Sequence, residues 1–218
     1  TNVRFVTSPN AATGFAINAP DDFWNNTTSP NPTFLVIAER KGLTVGGYQA
    51  TAGTVIQSNT LLTGPYNPAD NTIAATGTMT NVATQQQTGS LFGLAVQNKQ
   101  QRYFAAAYLR RAIEIGPRGP GGIYLFDKSG VNFSLTGSFT LQGVVPSNGG
   151  GALDFGTVTR VTTPATDDNF IANTGNFPGE TRDIDAFAKA GTISYGDIEA
   201  DANSDKVFMI NLFQKRLI

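Results

Sequence analysis

The 218-residue chain contains no cysteine and no histidine. Without cysteine there is no disulfide, no thiolate nucleophile and no Cys-ligated zinc. Without histidine the commonest general base, the commonest transition-metal ligand and the usual pH switch are gone, and a Ser-His-Asp triad cannot be assembled. Any metal must then be a hard cation such as calcium, held by oxygen. Charge is also scarce. Charged residues make up 14% of the chain and the formal net charge is −1, which offers nothing electrostatic to nucleic acid or to an anionic membrane. No apolar run approaches the roughly 20 residues of a membrane-spanning helix. The chain opens on Thr1, without an initiator Met or a leader, and reads as a processed or excised piece.

What is present points to strands and turns. Gly, Thr, Asn and Phe are abundant while Lys and Glu are few, a bias of turn-rich all-β proteins that is common on secreted surfaces. The length fits one large all-β domain with a substantial core. Two stretches share a pattern. Leu91–Val96, the polar turn Gln97–Gln101 and Arg102–Leu109 form the first. Tyr195–Ala200, the polar turn Asp201–Asp205 and Lys206–Leu212 form the second. Each runs aromatic–Gly–x–apolar, polar turn, aromatic-rich strand, as the inner two strands of a β-propeller blade are usually written. The spacing predicts strands over 91–96, 102–109, 123–126 and once within 131–145, joined in one antiparallel sheet, with 195–200 and 206–212 paired in the next. The Ala105-Ala106-Ala107 run followed by Arg110-Arg111 makes helix the competing reading of 102–111.

Around these cassettes the chain divides into a strand-rich segment 1–89, a first blade 90–145, an insertion 146–190 and the start of a further blade at 191–218. Val3, Phe5, Phe15 and Ile17 flank Ser8-Pro9-Asn10 as a hairpin would, and 22–32 is a polar loop with two prolines. Strands are expected at 33–39 and within 45–56. Thr181–Ala190 is the one good helix candidate, with Thr181 as N-cap. The second blade starts and the chain stops at Ile218, an expectation of truncation.

Several of these pieces, in order, resemble the propeller region of large bacterial secreted proteins in which B-type modules of the serine–aspartate-repeat adhesin kind precede a β-propeller. The pieces are Thr1–Pro9, Phe15–Phe23, Gly93-Leu94-Ala95, Phe104–Arg111, Gly116–Tyr124, Gly196–Glu199 and Val207–Leu212. Residues 40–85 and 130–180 have no counterpart, and the His and Cys usual near that family's loops are missing. The resemblance implies a cell-surface context and an architecture, and no reaction.

Candidate sites follow from residue type. Asp197, Glu199 and Asp201 would share one face of a strand, where they could bind calcium or form an acid–base pair. The plainer reading pairs them with Arg110 and Arg111. Asp201-Ala202-Asn203-Ser204-Asp205 has the first half of a calcium loop but neither its Gly nor its distal Glu, and the same residues make an ordinary turn. Arg110, Arg111 and Arg118 flank the glycine-rich run 116–122 and could grip a carboxylate or an acidic sugar. That run lacks the Lys-Ser/Thr ending of a phosphate loop. Trp24, with Phe23 and Tyr66, could stack on a sugar, or cap the core beneath a loop.

The expectation is therefore an all-β fold: a partial β-propeller with a strand-rich N-terminal segment and one long insertion. It would act outside the cell or on its surface as a non-enzymatic module, serving adhesion or assembly through a protein or glycan partner. The alternatives are a propeller hydrolase or lyase with a calcium-assisted carboxylate site, and a subunit of an extracellular filament or sheath that self-associates through sheet edges.

Overall fold

A computed structural model describes residues 34–37, 53–58, 66–67, 72–73, 79–97, 100, 102–129, 132–172, 181–201 and 205–218. The chain is all-β, and every pairing between its described strands is antiparallel. The first sheet takes β1 (Phe34–Ile37), β2 (Gly53–Ser58) and, after a small ladder of β3 (Tyr66–Asn67) and β4 (Thr72–Ile73), β5 (Met79–Thr84), in the order β1-β2-β5. A single helical turn, α1 (Gln85–Thr88), leads into the second sheet. There β6 (Leu91–Gln97), β7 (Arg102–Ala107), β8 (Gly122–Ser129) and β9 (Asn132–Thr140) form a four-stranded meander in chain order. After a second helix, α2 (Ile184–Lys189), the strands β10 (Tyr195–Ala200), β11 (Val207–Asn211) and β12 (Arg216–Leu217) make the third sheet. The hairpin expected at 8–10, the loop 22–32 and the turn residues 202–204 lie outside the described residues.

Residues 102–107 are a strand because both of their faces are needed. Side chains alternate across a strand with period two. Tyr103 and Ala105 turn toward the first sheet and pack in a cluster with Val55, Ala83, Leu91 and Phe126. Phe104 and Ala106 turn toward the third and join Ile123, Phe155, Tyr195 and Ile198. A helix would scatter this two-sided pattern around a cylinder. The buried alanines that argued for helix instead keep the middle sheet thin, so that layers can close on it from both sides. Burying side chains such as Leu91, Ile123 and Phe126 contributes about 1.5–3 kcal/mol each.

The result is three sheets stacked face to face in chain order. β10 lies alongside β6, and β1 faces β6 across a groove. Leu35 and Ile37 of β1 pack in the same cluster as Leu91 and Leu94 of β6, and Gly93 of β6 sits against Asp197 and Ile198 of β10. The sheets are open, and none of the described strands closes them into a ring.

The insertion is ordered where it is described. Leu153 and Phe155 enter the core between the second and third sheets, and Val161 bridges Phe170. The helix is three residues shorter at its start than expected. Its N-cap position is held by Asp183, not Thr181. The Thr181 hydroxyl oxygen is used elsewhere and accepts the Ala172 N–H at 3.0 Å.

Candidate functional site

Arg110 follows β7 and pairs across a tight turn with Ile113. Its guanidinium lies 5.3 Å from the centre of the Tyr108 ring, and the Tyr108 ring is 5.2 Å from that of Phe92. This Arg–Tyr–Phe stack stands beside a groove of about 480 Å³, lined by Leu35 and Ile37 from β1, by Leu91, Phe92, Gly93 and Leu94 from β6, and by Arg110. A cation over an aromatic face, next to an apolar floor, suits a ligand with a carboxylate and a ring or aliphatic face.

Arg111 points the other way. Its Nε donates to the Arg182 carbonyl at 3.0 Å and its guanidinium lies over the Phe187 ring at 5.7 Å, so it clamps the start of α2. Arg118 donates from Nε to the Ser138 hydroxyl at 2.9 Å. The three arginines expected together are thus spread over three places. Tyr66 lies in the short strand β3, and Trp24 is outside the described residues.

Asp197 and Glu199 are exposed on one face of β10, as the alternation required, and Asp201 follows, half-buried. Asp197 Oδ1 accepts the N–H of Ile198 at 2.8 Å and Glu199 Oε1 that of Ala200 at 3.2 Å. Among the described residues neither Asp197 nor Glu199 forms an ion pair, so neither of these two is paired with Arg110 or Arg111. Two adjacent surface carboxylates supply a few of the six to eight oxygens that calcium takes.

A densely bonded polar cluster among the described residues was not visible in the sequence. Arg160 forks onto the fully buried Asp183, Nε to Oδ1 at 2.9 Å and Nη2 to Oδ2 at 2.8 Å. It also donates to the carbonyls of Ile113 and Arg110 at 2.7 and 2.6 Å. Asp183 Oδ2 accepts the Ala112 N–H at 2.7 Å. No family model matches the chain, no curated protein matches it, and no solved structure matches it. The site must therefore be read from this geometry.

Every donor and acceptor in the Arg160–Asp183 cluster faces another protein group, so it is a joint and not a ligand site. It ties the insertion to the turn that carries Arg110 and Arg111. A second joint lies nearby: the Ser194 hydroxyl is 2.6 Å from the Ala107 carbonyl and 2.8 Å from that of Pro120. The Tyr195 hydroxyl donates to Gly121 at 2.9 Å, and burial raises its pKa. These contacts lock the third sheet onto the second. Among the described residues, the aromatic–arginine groove by Arg110 and the surface of the third sheet face outward.

Proposed function

We propose that this chain is a propeller-type module that acts outside the cell or on its surface, binding a protein or glycan partner for adhesion or assembly without catalysing a reaction. The observation that carries this reading is the stack of three antiparallel sheets in chain order, with β10 alongside β6 and β1 facing β6 across the groove by Arg110. Blades of a propeller are stacked in that way, each entered at its innermost strand. The ordered resemblance to secreted propeller proteins and the turn-rich, low-charge composition support an extracellular location. The groove by Arg110 supplies a place for an acidic partner group.

The rival reading, a calcium-assisted hydrolase or lyase, would use Asp197 and Glu199. One experiment separates the two. The purified chain is tested for saturable binding to panels of glycans and extracellular proteins, and for turnover of ester, lactone and glycoside substrates with and without calcium. The expected result is binding weakened by Arg110→Ala and background turnover. Turnover abolished by Asp197→Ala or Glu199→Ala overturns the proposal.

A further inference from the structure

The third sheet differs from the second at one edge. The second sheet has a fourth strand, β9, whereas the third ends at β12 among the described residues. Met209 and Ile218 exchange both backbone hydrogen bonds, each 2.8 Å. In an antiparallel ladder such pairs alternate with pairs whose N–H and C=O groups point away from each other. The next pair is Ile210 with Leu217. The backbone N–H and C=O of Leu217 therefore face outward, along the open edge.

Arg216 adds a second, independent observation. It lies opposite Asn211, which is buried on the inner face of the sheet. Its Nε and Nη2 are buried and have no hydrogen-bond partner among the described residues. Those two nitrogens form one side of the guanidinium fork, the side that takes a carboxylate with two parallel bonds. Leaving them dry and unpaired is costly, which is why such groups are rare in folded proteins. Beside them is a depression of about 470 Å³ between β12 and the loop 146–149, with Leu141, Leu153 and Met209 in its lining.

The geometry points to a strand-docking edge: an extended segment of a partner protein adds to β12, hydrogen-bonds the backbone of Leu217, and places an Asp or Glu side chain in the depression against Arg216. Main-chain bonds give such docking its affinity and the pocketed side chain gives its specificity. The inference does not require a closed ring or the Arg110 groove, so it can fail while the proposed function stands.

The test uses the whole chain and two labelled peptides of six β-forming residues, one with a central Asp and one with Asn in its place. Fluorescence anisotropy is expected to show saturable binding of the Asp peptide, about tenfold tighter than the Asn peptide, as one charge-assisted fork supplies. Binding should slow amide exchange at Leu217. Arg216→Gln should erase the preference for Asp. Leu217→Pro removes an outward N–H and no ladder bond, a place where an edge strand tolerates proline. It should abolish binding of both peptides while the thermal melt keeps its midpoint. Equal affinity for the two peptides, binding that survives Leu217→Pro, or no binding at all overturns the proposal. So does concentration-dependent pairing of the chain with itself that persists when Phe208 and Ile210 on the outer face are both changed to Thr and that the Asp peptide does not compete, because the edge then belongs to a second copy.

Discussion

Arg160 and Asp183 meet in a two-pronged ion pair whose side chains are 9% and 0% exposed. Asp183 stands at the head of α2 with φ of 47°, a left-handed conformation that Asp and Asn tolerate better than most residues. Removing one partner of a buried pair strands the other, at a cost of about 3–5 kcal/mol. Asp183→Ala is expected to lower stability by that amount in urea unfolding, with the loss centred on 110–113 and 181–190 in hydrogen exchange. Asp183→Asn keeps the backbone conformation and one acceptor, and should lose less. Asp183→Ala combined with Arg160→Met should recover part of the loss, since no charge is then left buried.

Gly93 couples the second and third sheets. It is the extra residue in β6: Phe92 pairs with Ala106 and Leu94 with the next residue, Ala105, so Gly93 has no partner of its own on β7. Its φ is +75°, and a Cβ there would lie 2.7 Å from Asp197 Oδ1 and 2.8 Å from Ile198 Cγ2. Gly93→Ala meets both the backbone penalty, about 1–3 kcal/mol, and a clash with β10. The expected outcome is a clear drop in melting temperature with increased exchange across 195–200. A melting curve unchanged from that of the parent would show that the two sheets do not bear on each other there.

The strands of the second and third sheets were legible because their signal is local. Alternation over Leu91–Val96 and Tyr195–Ala200, polar turns and runs of β-formers sit within a few residues of one another, and both hairpins fold where they were expected. The match between the cassettes extends to an irregularity: in β6 the extra residue is Gly93, just after Phe92, and in β10 the register shifts just after Tyr195, across Gly196 and Asp197. The joints were illegible for the opposite reason. Arg160 and Asp183 come from a segment with no periodicity, and Ser194 reaches Ala107 across 87 positions. Arg111 looked like a ligand residue because nothing local says that α2 will dock on it. Paired chemistry between distant residues is decided by how the layers pack, and one sequence carries no trace of it.

Two buried tyrosines set an alkaline limit. Burial pushes the Tyr124 hydroxyl up to about 12, with the Arg118 backbone N–H and charge pulling slightly the other way, and burial raises Tyr195 as well. A group whose folded pKa is raised stabilises the fold fully below its unfolded value, about 10, and loses that contribution as pH climbs through the folded value. Stability should be flat up to about pH 10 and fall between about 10 and 12. Tyr124→Phe, which removes the group without removing the ring, should soften the fall; tyrosinate absorbance followed alongside circular dichroism reads both events. At the acid end Asp185 carries the opposite sign. The Thr159 N–H and the Lys189 ammonium hold its carboxyl below the usual range. Its contribution is present above about pH 4 and fades as pH drops through the lowered folded value. Asp185→Asn should flatten that limb.

The outer face of the third sheet decides how the chain behaves alone. Glu199 faces Phe208 across the β10–β11 ladder and Ile210 faces Leu217 across β11–β12. Phe208, Ile210 and Leu217 therefore fall on one face, and they are 41%, 44% and 66% exposed. The opposite face of the same strands, with Val207 and Met209, packs into the core. At each of the two junctions between these three sheets such a face is covered by the next layer. An apolar face of β-formers left in water favours association, because each large side chain that is covered gains about 1.5–3 kcal/mol. Sedimentation of residues 1–218 is expected to show concentration-dependent association at neutral pH. The double substitution Phe208→Thr and Ile210→Thr keeps β-branched residues in the strand and removes most of that apolar surface. It should shift the chain toward monomer with little change in melting temperature. Loss of cooperative unfolding in the double variant would mean that this face is already covered by the protein's own residues. A parent chain that sediments as a monomer at every concentration would mean that the face has no pull of its own.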